Sequence, residues 1–252
     1  MNITFRGNRH ITRIKIYLST IVFLLVLNTL FGLDSNTEAT PSLDRWFKTD
    51  PRAKQYSQSQ SQIKSIFITA SKAELPTWVL MEKLQEGASK HVPSPRLILG
   101  LNNELKRLKL AKSIVERYNI PYKDKNELGI KLKHLSLILM GGIEYNTIIQ
   151  FLNADQKNNY GEEKIFSLFD LLVQIKSINR AITQSELLLL GLSILNSKLK
   201  AKSYSPIASI YLRAKASGLR DKTITSTIEN VLKHGGGLVQ LDYELRQRGN
   251  SR

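Results

Sequence analysis

Leu97, Leu101, Leu105, Leu108, Ala111, Val115 and Tyr118 recur at steps of three or four. Side chains at that spacing share one face of an α-helix, so the pattern predicts a helix over residues 95–119 with its apolar stripe turned inward. The other face carries Lys106, Arg107, Lys109, Lys112, Glu116 and Arg117, the solvated half of an amphipathic helix. A stripe three heptads long fits a domain core, and it also fits a coiled-coil seam.

The flanking sequence repeats this logic. Asp124 with Glu127, Asn159 with Glu162, and Thr183 with Glu186 have the spacing at which a cap reaches the third helical residue. Pro76, Pro93 and Pro121 mark breaks or first turns. Gly87, Gly141-Gly142, Gly218 and Gly235-Gly236-Gly237 suit helix ends. Sustained alternation and Asn-Gly turns are absent, so the expected fold class is all-α.

One local pattern recurs. Val92 is followed by Leu97 and Leu101, Ile143 by Ile148 and Leu152, and Leu219 by Ile224 and Ile228. In each case apolar residues lie five and nine positions after the first. The leading residue can pack as a staple onto the helix that follows, which predicts helix, tight turn, helix. A looser copy is expected from Tyr204. The leading residues are separated by 51 and 76 positions, too unequal for an array with one period. The expected architecture is an αα-hairpin bundle or irregular helical repeat behind an N-terminal signal sequence.

That signal is read from residues 1–39. Arg6, Arg9, Arg13 and Lys15 precede an apolar run over residues 16–33, and small and polar residues follow. A basic end that stays in the cytoplasm and an apolar stretch that enters the membrane are the order export requires. Thr37-Glu38-Ala39 offers a small-x-small cleavage site, with Gly32 a second candidate. Left uncut, the run reaches the lower limit for a membrane anchor. Either way the remainder is expected outside the cytoplasm, periplasmic or anchored to the outer face of the inner membrane. Residues 40–62, with the Gln/Ser-rich stretch at 55–62, show no apolar periodicity and are expected as a polar linker. Residues 63–252 are expected to form the helical domain, with a candidate internal boundary at the polar, Asn-rich residues 153–161.

Charge and missing chemistry bound the function. Net charge is +16, of which +12 remains after residues 1–33; such an excess favours anionic partners or a generally solvated surface. No cysteine is present, which removes disulfides, thiolate metal sites, cysteine nucleophiles and lipid attachment at an N-terminal cysteine. His234-Gly235-Gly236-Gly237 is similar to an esterase oxyanion loop, but the Gly-x-Ser-x-Gly elbow that chemistry needs is absent. His91, His134 and His234 are far apart in sequence. Glu82 and Glu86 lie one helical turn apart, a spacing as ordinary on a solvated face as in a glycan-cleaving pair. No catalytic, cofactor or metal residue is assigned.

Basic residues cluster at 106–112, 123–133, 198–202 and 213–222. Lys106, Arg107, Lys109, Lys112, Arg213, Lys215, Arg220 and Lys222 are the candidate contacts to an anion or a partner. The expected function is a binding or scaffold protein of the bacterial cell envelope. Its expected partner is an anionic envelope surface or another envelope protein, with no small-molecule cofactor. A cell-envelope hydrolase and a nucleic-acid-binding helical protein are the alternatives.

Leu75-Pro76, Lys83, Glu86-Gly87, Lys90 and Val92-Pro93 form an LP…KxxEG…KxVP segment. It resembles a segment of uncharacterised exported bacterial proteins, a resemblance that implies export and helical structure and no activity.

Overall fold

A computed structural model describes residues 39–250 of the chain. The export signal expected at residues 1–39 lies outside the described residues, apart from Ala39. Eleven α-helices and no strand occur among the described residues, so the fold is all-α. The helices are α1 (Ala39–Thr49), α2 (Gln60–Lys72), α3 (Thr77–Ser89), α4 (Ser94–Tyr118), α5 (Lys125–Met140), α6 (Tyr145–Asn158), α7 (Glu162–Ile178), α8 (Gln184–Leu195), α9 (Ser205–Ala216), α10 (Asp221–Lys233) and α11 (Leu238–Asn250). A 3-10 helix, Pro51–Ser59, joins α1 to α2, and a short one, Ala201–Ser203, precedes α9.

Most consecutive helices pair as antiparallel hairpins, and the hairpins stack. In one layer α2, α4, α6, α8 and α10 each pack on the next member; in the other, α5, α7, α9 and α11 do the same. α3 joins the second layer through side chains: the Trp78 ring lies against Gly129 and under the Lys133 ammonium, 5.0 Å from the centroid. Stacked hairpins in which each unit leans mainly on its neighbours define a helical solenoid. One continuous apolar core runs through it from Leu43 to Leu245.

The turns explain the recurring spacing. Glu74, His91, Asn119, Gly142, Gly218 and Gly235 all have positive φ. At each, the following residue donates its N–H to the carbonyl five positions back, for example Ile143 to Ile138 and Leu219 to Ala214. This is the Schellman closure, which satisfies helix-end carbonyls and turns an apolar residue inward. Leu75, Ile120, Ile143 and Leu219 are buried in that place. The five-and-nine pattern also appears at Leu75/Leu80/Leu84, Tyr160/Ile165/Phe169, Ile182/Leu187/Gly191 and Gly236/Leu241/Leu245. Ile182 splits the separation of 76 into 39 and 37, so the units from Ile143 onward are nearly even, while the first separation stays at 51. Sequence hides this copy because its last position is glycine. Tyr204 opens no copy, since Ser209, five positions on, is exposed.

Several sequence expectations are corrected. Residues 40–62 are not a linker: Leu43, Trp46, Ala53 and Tyr56 are buried in the core. The 3-10 helix has three residues per turn, so Ala53 and Tyr56 suffice to line its inner face while glutamine and serine cover the rest. The Tyr56 hydroxyl donates to the Val92 carbonyl at 2.8 Å. The candidate boundary at 153–161 is the α6–α7 turn, and α6 packs on both α7 and α8 across it. Gly87 lies inside α3, against Leu97. Asn159 does not cap α7: it ends α6 in the left-handed conformation, and Gly161 is the cap residue of α7. Asp124 and Thr183 cap α5 and α8 as their spacing predicts.

At the start of the 3-10 helix, hydrogen bonds from the Arg52 side chain and backbone, with the charge of that guanidinium, hold the Asp50 carboxyl at about 2 against the opposing effect of burial. A carboxyl depressed in the folded state contributes stability above its unfolded pKa, and that contribution fades as pH falls toward the folded value. Thermal unfolding should therefore show a loss between roughly pH 4 and pH 2 that Asp50→Asn lacks, worth about 1 kcal/mol after solvent screening. Parallel acid limbs for the two proteins would show that the pair is silent.

Candidate anionic-partner interface

The eight basic candidates fall into two groups that the fold keeps apart. Lys106, Arg107, Lys109 and Lys112 lie on α4, whereas Arg213 and Lys215 lie on α9 and Arg220 and Lys222 at the start of α10. Half of them are engaged within the protein. Arg107 pairs with the buried Glu104 on its own helix. Lys112 donates to the Ala73 carbonyl at 3.0 Å and pairs with Glu74 and Glu116. Arg213 meets Asp242 at 2.6 Å. Lys215 binds both Asp221 oxygens and the Ile178 carbonyl. These four fasten helices and turns together. Lys106, Lys109, Arg220 and Lys222 are exposed and form no ion pair among the described residues.

Other cations gather where the topology places alternate turns. Antiparallel stacking brings the α2–α3, α4–α5, α6–α7, α8–α9 and α10–α11 turns to one edge of the solenoid. Side-chain contacts tie this edge together: Tyr118 donates to Asn153 at 2.6 Å, and Tyr160 donates to Asn196 at 2.5 Å. Lys123, Lys157, Lys198, Lys200, Lys202 and Lys233 stand exposed along it, without an ion pair among the described residues. Lys157 and Lys233 sit in the last turns of α6 and α10, where cations complement the negative end of the helix dipole. Lys198, Lys200 and Lys202 lie between α8 and α9 and are surplus to that role. Sequence marks the 198–202 cluster, but only the stacking puts it beside Lys157 and Lys233.

A second feature is a shallow groove between α5 and α7, lined by Ile130, Lys131, His134, Glu162, Glu163 and Phe166. His134 Nε2 lies 2.6 Å from Asp170 Oδ1, and the His134 ring lies 5.3 Å from that of Phe166. Lys131 bridges Glu127 and Glu162. No described hydroxyl hydrogen-bonds to His134, so the pair lacks the nucleophile that a hydrolytic triad would need.

Glu82 and Glu86 do not face a common substrate space as partners. Glu82 pairs with Lys133 at 2.8 Å on α5. Burial alone would raise the Glu86 carboxyl, but the Lys90 hydrogen bond and the charges of Lys83 and Lys90 outweigh it and hold the group below its ordinary value. A general acid needs the opposite shift. His234-Gly235-Gly236-Gly237 is the α10–α11 turn, with the Gly236 N–H closing onto the Val231 carbonyl.

The class that fold and surface define is an αα-hairpin solenoid with one cation-rich edge. Comparison with protein-family models, with curated proteins and with solved structures finds no match. No helix among the described residues is long and apolar enough to cross a membrane.

Proposed function

We propose that the chain is a non-catalytic binding or scaffold protein of the bacterial cell envelope. It is exported by its N-terminal signal and contacts an anionic surface or an envelope partner. The observation that carries this reading is the line of exposed, unpaired lysines on a stacked-hairpin frame. Solenoids present extended surfaces suited to large partners, and an unneutralised cationic edge supplies long-range attraction to an anionic one. The basic, then apolar, N-terminal segment supports export.

The test is cell fractionation with a C-terminal tag, read beside the intact mass. A periplasmic product beginning near Thr40, or a full-length product retained on the outer face of the inner membrane, agrees with the reading. A full-length cytoplasmic product overturns it and makes nucleic acid the leading partner.

A further inference from the structure

We infer that the cationic edge is a docking surface for the headgroups of an anionic lipid bilayer, with the segment between α8 and α9 as its centre. The inference rests on the envelope reading above and adds the face used and the partner's chemistry.

Three observations carry it. First, Lys198, Lys200 and Lys202 alternate with Leu199, which is half-buried, and Ala201, which is buried. The alternation anchors the backbone by its apolar members and sends all three ammonium groups to the solvent side. Second, the neighbouring turns continue the charge in a row, with Lys123 and Lys157 on one side and Lys233 on the other. The first turns of α9 and α11, which open on this edge, contain no acidic residue; those of α5 and α7, on the same edge, carry Glu127, Glu162 and Glu163, of which Lys131 holds the first two. On the opposite edge Arg52, Lys90 and Lys215 are each held by a carboxylate, while Arg180 and Arg220 stand exposed there without an ion pair among the described residues.

Third, the cations stand on or beside the turns, and none of them lines the cleft between the α4–α5 and α6–α7 turns, whose carboxylates are Asp155 and Glu162. A plane of headgroups is met by cations that lie outside clefts, whereas a single polymer chain is gripped within one. Tyr122, in the α4–α5 turn, is 49% exposed on the same edge, and an exposed tyrosine suits the depth of lipid headgroups. Lysines near an anionic bilayer each strengthen attraction by about a factor of five.

The experiment uses the full chain as recovered from cells, with flotation on phosphatidylglycerol-rich and phosphatidylcholine vesicles. The readout is the ratio of binding to the two. An inserted N-terminal apolar segment would raise both and leave the ratio to the charged surface. Lys198→Gln/Lys200→Gln/Lys202→Gln should lower the ratio by about a hundredfold, from three factors of about five. Lys106→Gln/Lys109→Gln/Arg220→Gln removes the same charge elsewhere and should lower it by less than about fivefold, the worth of one lysine at the surface.

Equal losses in both variants would overturn the edge and leave the envelope reading standing. Retention of the wild-type chain on isolated wall polymer, with a vesicle ratio near one, would overturn the bilayer as partner. A high ratio unchanged by either variant would overturn the lysines as its cause. Failure of the envelope reading itself appears separately, as cytoplasmic recovery in the fractionation.

Discussion

Glu104→Ala lowers the stability of the folded protein by about 3–5 kcal/mol, the usual cost of removing one partner of a buried ion pair. Glu104 is 5% exposed on α4. Its carboxylate accepts a hydrogen bond from Ser136 on α5 at 2.5 Å and pairs with Arg107. Truncation strands both groups at the closest seam of the solenoid, and the Arg107 Nε already lacks a partner. The network specifies how α4 and α5 register more than it stabilises them. Replacing all three members by apolar residues, as Glu104→Met/Arg107→Met/Ser136→Ala, should therefore leave stability within about 1 kcal/mol of wild type, since buried pairs repay their desolvation poorly. Denaturant unfolding of the two variants decides the matter. A Glu104→Ala cost below about 1 kcal/mol, the range of an exposed pair, would mean that leucine packing alone holds the seam.

The second large effect is predicted at Gly191. In the other copies of the turn pattern between Leu75 and Leu245, the ninth position holds leucine, isoleucine or phenylalanine, and at Ile182 it holds glycine. Phe151 occupies the vacated space: a Cβ on Gly191 would stand 2.6 Å from Phe151 Cε1 and 3.3 Å from Leu168 Cδ2. Gly191→Leu overpacks this site and should cost at least about 3 kcal/mol, the upper range for inserted methylenes. Phe151→Ala alone opens a cavity beside Phe169 and should cost about 3–5 kcal/mol. Combined, the two changes restore volume, so the double variant should be more stable than the sum of the singles predicts. Strict additivity in chemical unfolding would show that the two side chains do not share the space.

Both predictions concern what sequence could and could not disclose. The α4 stripe from Leu97 to Tyr118 was legible because one long helix buries one face, and periodicity reports that face directly. The turns after Val92, Ile143 and Leu219 were legible for the same reason. The copy at Ile182 was not, because its glycine is explained only by a phenylalanine 40 positions earlier. Residues 40–62 read as linker because one apolar residue per turn among glutamines and serines carries little periodic signal. Their burial depends on a surface supplied by α2, α3 and α4.

The candidate interface divides in the same way. Sequence alone determined that the chain is helical, basic and without cysteine chemistry, since these follow from local periodicity and composition. Which cations are available was decided by tertiary structure. Arg107, Lys112, Arg213 and Lys215 look as free in sequence as Lys198, Lys200 and Lys202. Folding brings carboxylates and carbonyls to the first four and leaves the other three facing solvent. Coulomb attraction and hydrogen bonding act over a few ångströms in space, and only the stacking of the hairpins sets those distances.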